Sequence, residues 1–197
     1  MIAAIIFFVL LSSIPVNAQS MSSNVFKTEI IDFYSRVSSI ECDFVQTKVS
    51  SLLSDAMVSR GHMTFRKPGY LEWTYIDPSY IAIIADGDKV TIGRAGVIEV
   101  LNGNQSKMFR ELTRMIISNL DGSILTNDKM FKAEFNLADG LVIATLIPQK
   151  SDYKKIWSKL LLYYDQANKN ATRFEMYETS GDMTYITFSN IINGVSE

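Results

Sequence analysis

Apolar and polar residues alternate with a period of two along most of the chain. The clearest case is Gly61 to Pro78, where Met63 and Phe65 alternate on one arm and Leu71, Trp73 and Tyr75 on the other. That period is what a sheet with one buried face and one wet face requires. Lys67-Pro68-Gly69 lies between the arms and reads as a turn, because Pro fixes φ and Gly tolerates positive φ. Shorter runs repeat the pattern. Ile40 to Ser50 puts Cys42 and Phe44 on one face and Glu41, Asp43 and Thr47 on the other, and Asp55 to Phe65 follows, with Gly61 marking a bend or bulge. Ile81 to Ala85 ends at the turn Asp86-Gly87, and Val90 to Gly93 and Val97 to Leu101 come next. Phe131 to Leu137 and Leu141 to Ile147 flank Ala138-Asp139-Gly140, and Ile156 to Tyr164, Ala171 to Thr179 and Met183 to Phe188 form a last meander. These connections are too short for parallel crossovers, so the runs predict antiparallel strands.

Two stretches carry the helical period instead. Asn24 to Val37 places Phe26, Ile30, Phe33 and Val37 on one face, with Ser23 or Asn24 as N-cap. Ser106 to Asn119 places Met108, Leu112, Met115 and Ile116 on one face, with Arg110, Glu111 and Arg114 off it. The expectation is a mainly β (α+β) fold: one curved antiparallel sheet approaching a barrel, with two amphipathic helices covering it.

Composition narrows the class. The 197 residues suit one domain, and 47% hydrophobic content excludes a disordered chain. Net charge is −2 and no basic block is present, which argues against nucleic acid as a partner. Ile2 to Leu11 is apolar but too short to span a bilayer, and Val16-Asn17-Ala18 resembles a cleavage site, so residues 1–18 read as a signal peptide and 19–197 as the mature domain. The first basic residue is Lys27, which departs from a usual leader; an uncleaved N-terminal anchor is the alternative. The single cysteine, Cys42, cannot pair within the chain and reads as a small buried hydrophobe.

Catalytic chemistry is sparse. His62, the only histidine, falls on the polar face of its strand without a nucleophile motif beside it. One His and one Cys leave only scattered carboxylates for a metal, and no glycine-rich phosphate loop occurs, so neither metal nor cofactor is expected. Nine methionines are the excess, several sharing faces with Phe and Trp. They suit an ordinary core, or a concave apolar surface that repacks around varied ligands.

The order of parts resembles the periplasmic outer-membrane lipoprotein carrier family, LolA. The resemblance rests on Phe44-Val45-Gln46, on Gly61, Met63, Phe65, Lys67, Pro68, Leu71 and Trp73 of the hairpin, on Asp86-Gly87, on Leu146-Ile147-Pro148, and on Gly181, Asp182, Thr184 and Phe188. It covers nearly the whole mature chain. It implies an incomplete barrel with a helical lid and a non-enzymatic monomer in the periplasm. Such a carrier takes acylated lipoproteins from an inner-membrane exporter to an outer-membrane acceptor. A lipid- or glycolipid-binding protein, or a lipoprotein sensor, on the same fold is the rival reading. On the family's suggestion of which face is concave, Met63, Phe65, Leu71, Trp73, Tyr75 and Ile83 line the sheet side. Met108, Leu112, Met115 and Ile116 line the lid, and Phe26, Ile30 and Phe33 the first helix. Where the family places an arginine that ties the lid, this chain has Lys67, preceded by Arg66, so lid control is expected at those two positions. A strand after Phe188 with the family's final Phe and Pro-Gly signals is not expected.

Overall fold

The computed structural model describes residues 17–52, 55–87, 89–94, 96–101, 115–118, 120 and 122–195, with side chains from residue 25 onward. Helix α1 (Asn17–Arg36) leads into β1 (Val37–Val49), β2 (Met57–Arg66), β3 (Tyr70–Asp77), β4 (Ile81–Asp86), β5 (Lys89–Arg94) and β6 (Val97–Val100). A connection with helical residues at 115–118 and a 3-10 turn at Ser123–Leu125 leads to β7 (Phe131–Ala138) and β8 (Leu141–Pro148). The short helix Ser151–Lys154 precedes β9 (Trp157–Asp165), β10 (Ala171–Glu178) and β11 (Met183–Val195).

All strands join one 11-stranded sheet in the order β6-β5-β4-β3-β2-β1-β11-β10-β9-β8-β7. Every pairing is antiparallel. The sheet is therefore two meanders stitched by β1 against β11, with Phe44 opposite Phe188 and Gln46 opposite Ile186. β6 and β7 remain as edges, so the sheet curls without closing.

Alternation selects the concave face. Cys42 opposes Met63, Met63 opposes Trp73, and Trp73 opposes Ile83. Ile186 opposes Phe174, and Phe174 opposes Leu162. These residues belong to one apolar core that runs across both meanders. Burying each large side chain contributes about 1.5–3 kcal/mol, so this face dominates stability. The opposite face is polar: Asp43 Oδ1 lies 3.0 Å from His62 Nδ1.

Because neighbours are antiparallel, strand ends fall into two rows. One row holds the start of β1 and the β2–β3 turn, and α1 packs there, with Tyr34 against Tyr164 at 6.0 Å between ring centroids. The far row holds the end of β1, the β3–β4 turn and the β10–β11 turn.

Several local expectations need correction. The residues from Asn17 on are already helical, so neither Ser23 nor Asn24 caps α1. Gly69 is not left-handed; the turn instead contains a cis Lys67-Pro68 bond. Residues 189–195 are strand, continuing β11 alongside the start of β1, with one register shift that adds a residue to β1 between Val37 and Ser39 and one that adds a residue to β11 opposite Glu41 to Asp43. The apolar–polar alternation fades after Phe188, which hid this extension. The β1–β2 connection shortens the expected second strand to Met57–Arg66. Gly61 does mark an irregularity in the β2–β3 register, and Asp139 and Gly140 are both left-handed, as a two-residue hairpin turn needs.

Candidate functional site: an apolar cavity between the two meanders

The concave face encloses a cavity of about 260 Å³ among Gln46, Leu71, Trp73, Tyr75, Ile83, Met115, Ile116, Phe174, Met176 and Ile186. Two small voids of about 30 and 20 Å³ continue from it toward α1. The first shares Trp73, Phe174 and Ile186 with the main cavity; the second shares Leu120, Ala171 and Phe188 with the first. The widest part thus lies toward the far row of strand ends, and the narrow part ends at Tyr34, Cys42 and Met63.

Aromatic rings set the shape of the wall. Phe44 and Trp73 lie 4.2 Å apart between centroids with their planes tilted by 30°, and Tyr75 meets Phe44 edge-on at 5.4 Å. Gly61 makes this possible. A Cβ there would meet the carbonyl oxygen of Thr74 and stand 2.6 Å from the Phe44 ring. Polar groups in the wall are few. The Tyr75 hydroxyl donates to Gln46 Oε1 at 3.1 Å. Trp73 Nε1 is buried without a hydrogen-bond partner among the described residues. Burial pushes the Cys42 thiol up to about 12, with the nearby Asp43 charge adding to it, so this cysteine is an inert wall residue.

Helix α1 closes the narrow end. Ile30 and Tyr34 are buried, while Phe26 and Phe33 are partly buried against the core. The Tyr34 hydroxyl accepts the Ala171 N–H at 2.9 Å, and burial drives its phenol pKa upward. Lys67 Nζ donates to the carbonyls of Tyr34 and Ser35 at 2.7 and 3.2 Å, at the helix C-terminus where a cation is favoured. Lys169 Nζ pairs with Glu29 Oε2 at 2.7 Å. Arg66 is elsewhere: its guanidinium lies over the Tyr70 ring at 5.1 Å.

The sequence-derived candidates therefore divide. Leu71, Trp73, Tyr75, Ile83, Met115 and Ile116 surround the main cavity, and Met63 the narrow end. Phe65 is fully buried in the core. Met108 and Leu112 lie outside the described residues. The other half of the wall was missed: Phe174, Met176, Ile186 and Phe188 from the second meander. Their alternation is visible in sequence, yet only the β1–β11 pairing brings them opposite Trp73.

Residues 35–195 match the family described as outer membrane lipoprotein carrier protein LolA. The chain belongs to this family. A curated relative, the outer-membrane lipoprotein carrier protein of Methylobacillus flagellatus, is 24% identical over 164 residues, covering 81% of this chain and 74% of its own. Among solved structures, a LolA superfamily protein from Nitrosomonas europaea aligns at 10% identity and TM-score 0.44, covering 87% of this chain and 94% of that one. Lipoprotein LppX of Mycobacterium tuberculosis aligns at 13% identity and TM-score 0.48, covering 87% and 96%. The fold is mainly β, its one sheet antiparallel and open at both edges. Among the described residues no helix is long and apolar enough to cross a membrane.

Proposed function

We propose that this chain is a non-enzymatic periplasmic carrier. It shields the acyl chains of lipoproteins on the concave face and moves them from the inner to the outer membrane. The observation that carries the reading is the apolar cavity walled by both meanders and stopped by α1. Family membership supports the cargo class, and the name of the Methylobacillus relative agrees with it.

Exposing an acyl chain to water costs about 0.8 kcal/mol per CH₂, so a carrier must offer a comparable apolar surface. At about 260 Å³ the cavity is smaller than an ordinary ligand cleft of roughly 300–1,000 Å³. Loading therefore displaces the roof that carries Met115 and Ile116, exchanging roof-to-sheet contacts for chain-to-sheet contacts near balance.

The test is to incubate the processed protein with inner membranes that hold newly made lipoproteins and an energised exporter. ATP-dependent release of lipoprotein in soluble complex with this chain is the expected result. No release, with lipid present in the purified protein, would replace the carrier by a lipid-binding or sensing protein on the same fold.

A further inference from the structure

The wall of the main cavity contains a donor without an acceptor. Trp73 is 5% exposed, and its Nε1–H is buried with no hydrogen-bond partner among the described residues. Its ring stands 6.4 Å from that of Tyr75 between centroids, and both rings line the cavity together with Gln46. Burial raises the Tyr75 phenol pKa, and the Trp73 indole and then the Gln46 amide oppose the rise. The indole N–H therefore stands beside the Tyr75 oxygen without being aligned for a bond to it. The Tyr75 proton is already committed to Gln46 Oε1 at 3.1 Å. Trp73 is thus the open donor of this trio. None of the described residues lining the cavity carries a charge.

We infer that Trp73 Nε1 anchors a neutral carbonyl oxygen of the ligand, that of the ester or amide through which an acyl chain is attached. The inference deepens the carrier reading and rests on it for the acyl chain itself. An indole nitrogen only donates, so the missing partner is an acceptor. A buried donor without an acceptor is costly, and a carbonyl that reaches it regains the hydrogen bond it gave up on leaving water. A carboxylate does not fit, since it would be buried without a cation. A hydroxyl would bring a further donor to a trio whose amide oxygen is already engaged. Position agrees with a carbonyl at the head of a chain. Gln46 and Tyr75 lie in the wide part of the cavity, and Trp73 lines both that part and the first small void. A chain anchored here runs on past Phe174 and Ile186 toward Phe188 and α1. Met115 and Ile116 of the roof share this cavity, so the displacement that loading requires also opens the Trp73 wall.

The test titrates the processed protein with methyl decanoate, with dodecane, which has the same chain length and no acceptor, and with decanoate, each displacing a bound apolar fluorophore. Trp73→Phe keeps an aromatic ring in the wall and removes the N–H. It binds methyl decanoate about tenfold more weakly and dodecane as the parent does, the loss of one hydrogen bond. Comparing proteins rather than probes cancels the hydration of the free probes. Trp157→Phe, in the core against Tyr153, changes neither affinity. In the parent, the isotope-labelled carbonyl of bound methyl decanoate absorbs at lower wavenumber than in a hydrocarbon solvent. A carbonyl that absorbs there as it does in hydrocarbon overturns the inference, even if Trp73→Phe fails to fold. Equal affinity of parent and variant for the ester overturns the anchor and leaves the carrier reading standing. If decanoate rather than the ester suffers the loss, a carboxylate takes the site and the inference falls. No binding of any probe by the parent ends both readings. An acylated peptide and a phosphatidylethanolamine with the same chains separate the two sources of such a carbonyl, and the tenfold loss is expected with the peptide. A loss confined to the phospholipid keeps the anchor and sinks the carrier reading.

Discussion

The phenol oxygen of Tyr34 accepts the backbone N–H of Ala171 at 2.9 Å, across 137 residues of sequence. This bond joins α1, which precedes the first meander, to β10 in the second. Tyr34→Phe keeps the ring contacts with Phe33 and Tyr164 but leaves that N–H without its acceptor. The expected cost is about 1–2 kcal/mol, seen as a lower urea midpoint with an unchanged slope. An unchanged midpoint would mean that water replaces the phenol.

Lys67 holds the other side of α1. Lys67→Met keeps the apolar stem and removes the cation from the Tyr34 and Ser35 carbonyls. A loss of about 1–2 kcal/mol is expected, together with faster hydrogen exchange in α1 than in β1. Equal protection of α1 in both proteins would show that packing alone seats the helix.

The cavity can be filled from the missed half of its wall. Met176 lines the main cavity and is only partly buried. Met176→Trp should occupy the space, leave stability equal or higher, and weaken binding of a fluorescent acyl probe about tenfold, near 1.4 kcal/mol. Undiminished affinity in the folded variant would place the ligand elsewhere.

Gly61 is constrained by its neighbours rather than by φ. Gly61→Ala drives a methyl into the Thr74 carbonyl and the Phe44 ring. The expected loss is about 3 kcal/mol, at the upper end of overpacking costs, read by thermal or urea melts. A variant as stable as the parent would show that β2 can shift away from Phe44 freely.

Asp182 ties the β10–β11 turn to the β1–β2 connection. Its Oδ1 accepts the Ser51 N–H at 2.8 Å and the Ser51 and Ser50 hydroxyls at 3.0 and 3.3 Å. The Ser51 backbone bond, then the hydroxyls, hold its pKa below the usual carboxylate range. A carboxyl depressed in the folded state adds stability above its unfolded value, about 3.9, and loses it as pH falls through the lower folded value. Asp182→Asn should therefore be less stable than the parent near neutrality, with the gap closing below about pH 4. Parallel stability curves down to pH 2 would exclude this linkage.

Local features were legible because their causes are local. Alternation spans two residues, so Met63, Phe65, Leu71 and Trp73 could be assigned to one face from their own neighbours. The Asp139-Gly140 turn could be read from residue types that accept left-handed φ. The helical state of residues 17–23 could not, because that polar run lacks the apolar spacing that marks Asn24 to Val37. The last half of β11 could not either, because its pairing with β1 supplies the order that its own pattern lacks.

The sequence alone determined the hairpins, the apolar face of each strand, and the family to which their order belongs. Tertiary structure decided which faces meet. Phe44 finds Phe188, and Trp73 faces Phe174 across a void, only because β1 pairs with β11. It also decided that Lys67 caps α1 while Arg66 turns to Tyr70. Those contacts depend on how the whole chain curls, and no pattern of period two or 3.6 carries that information.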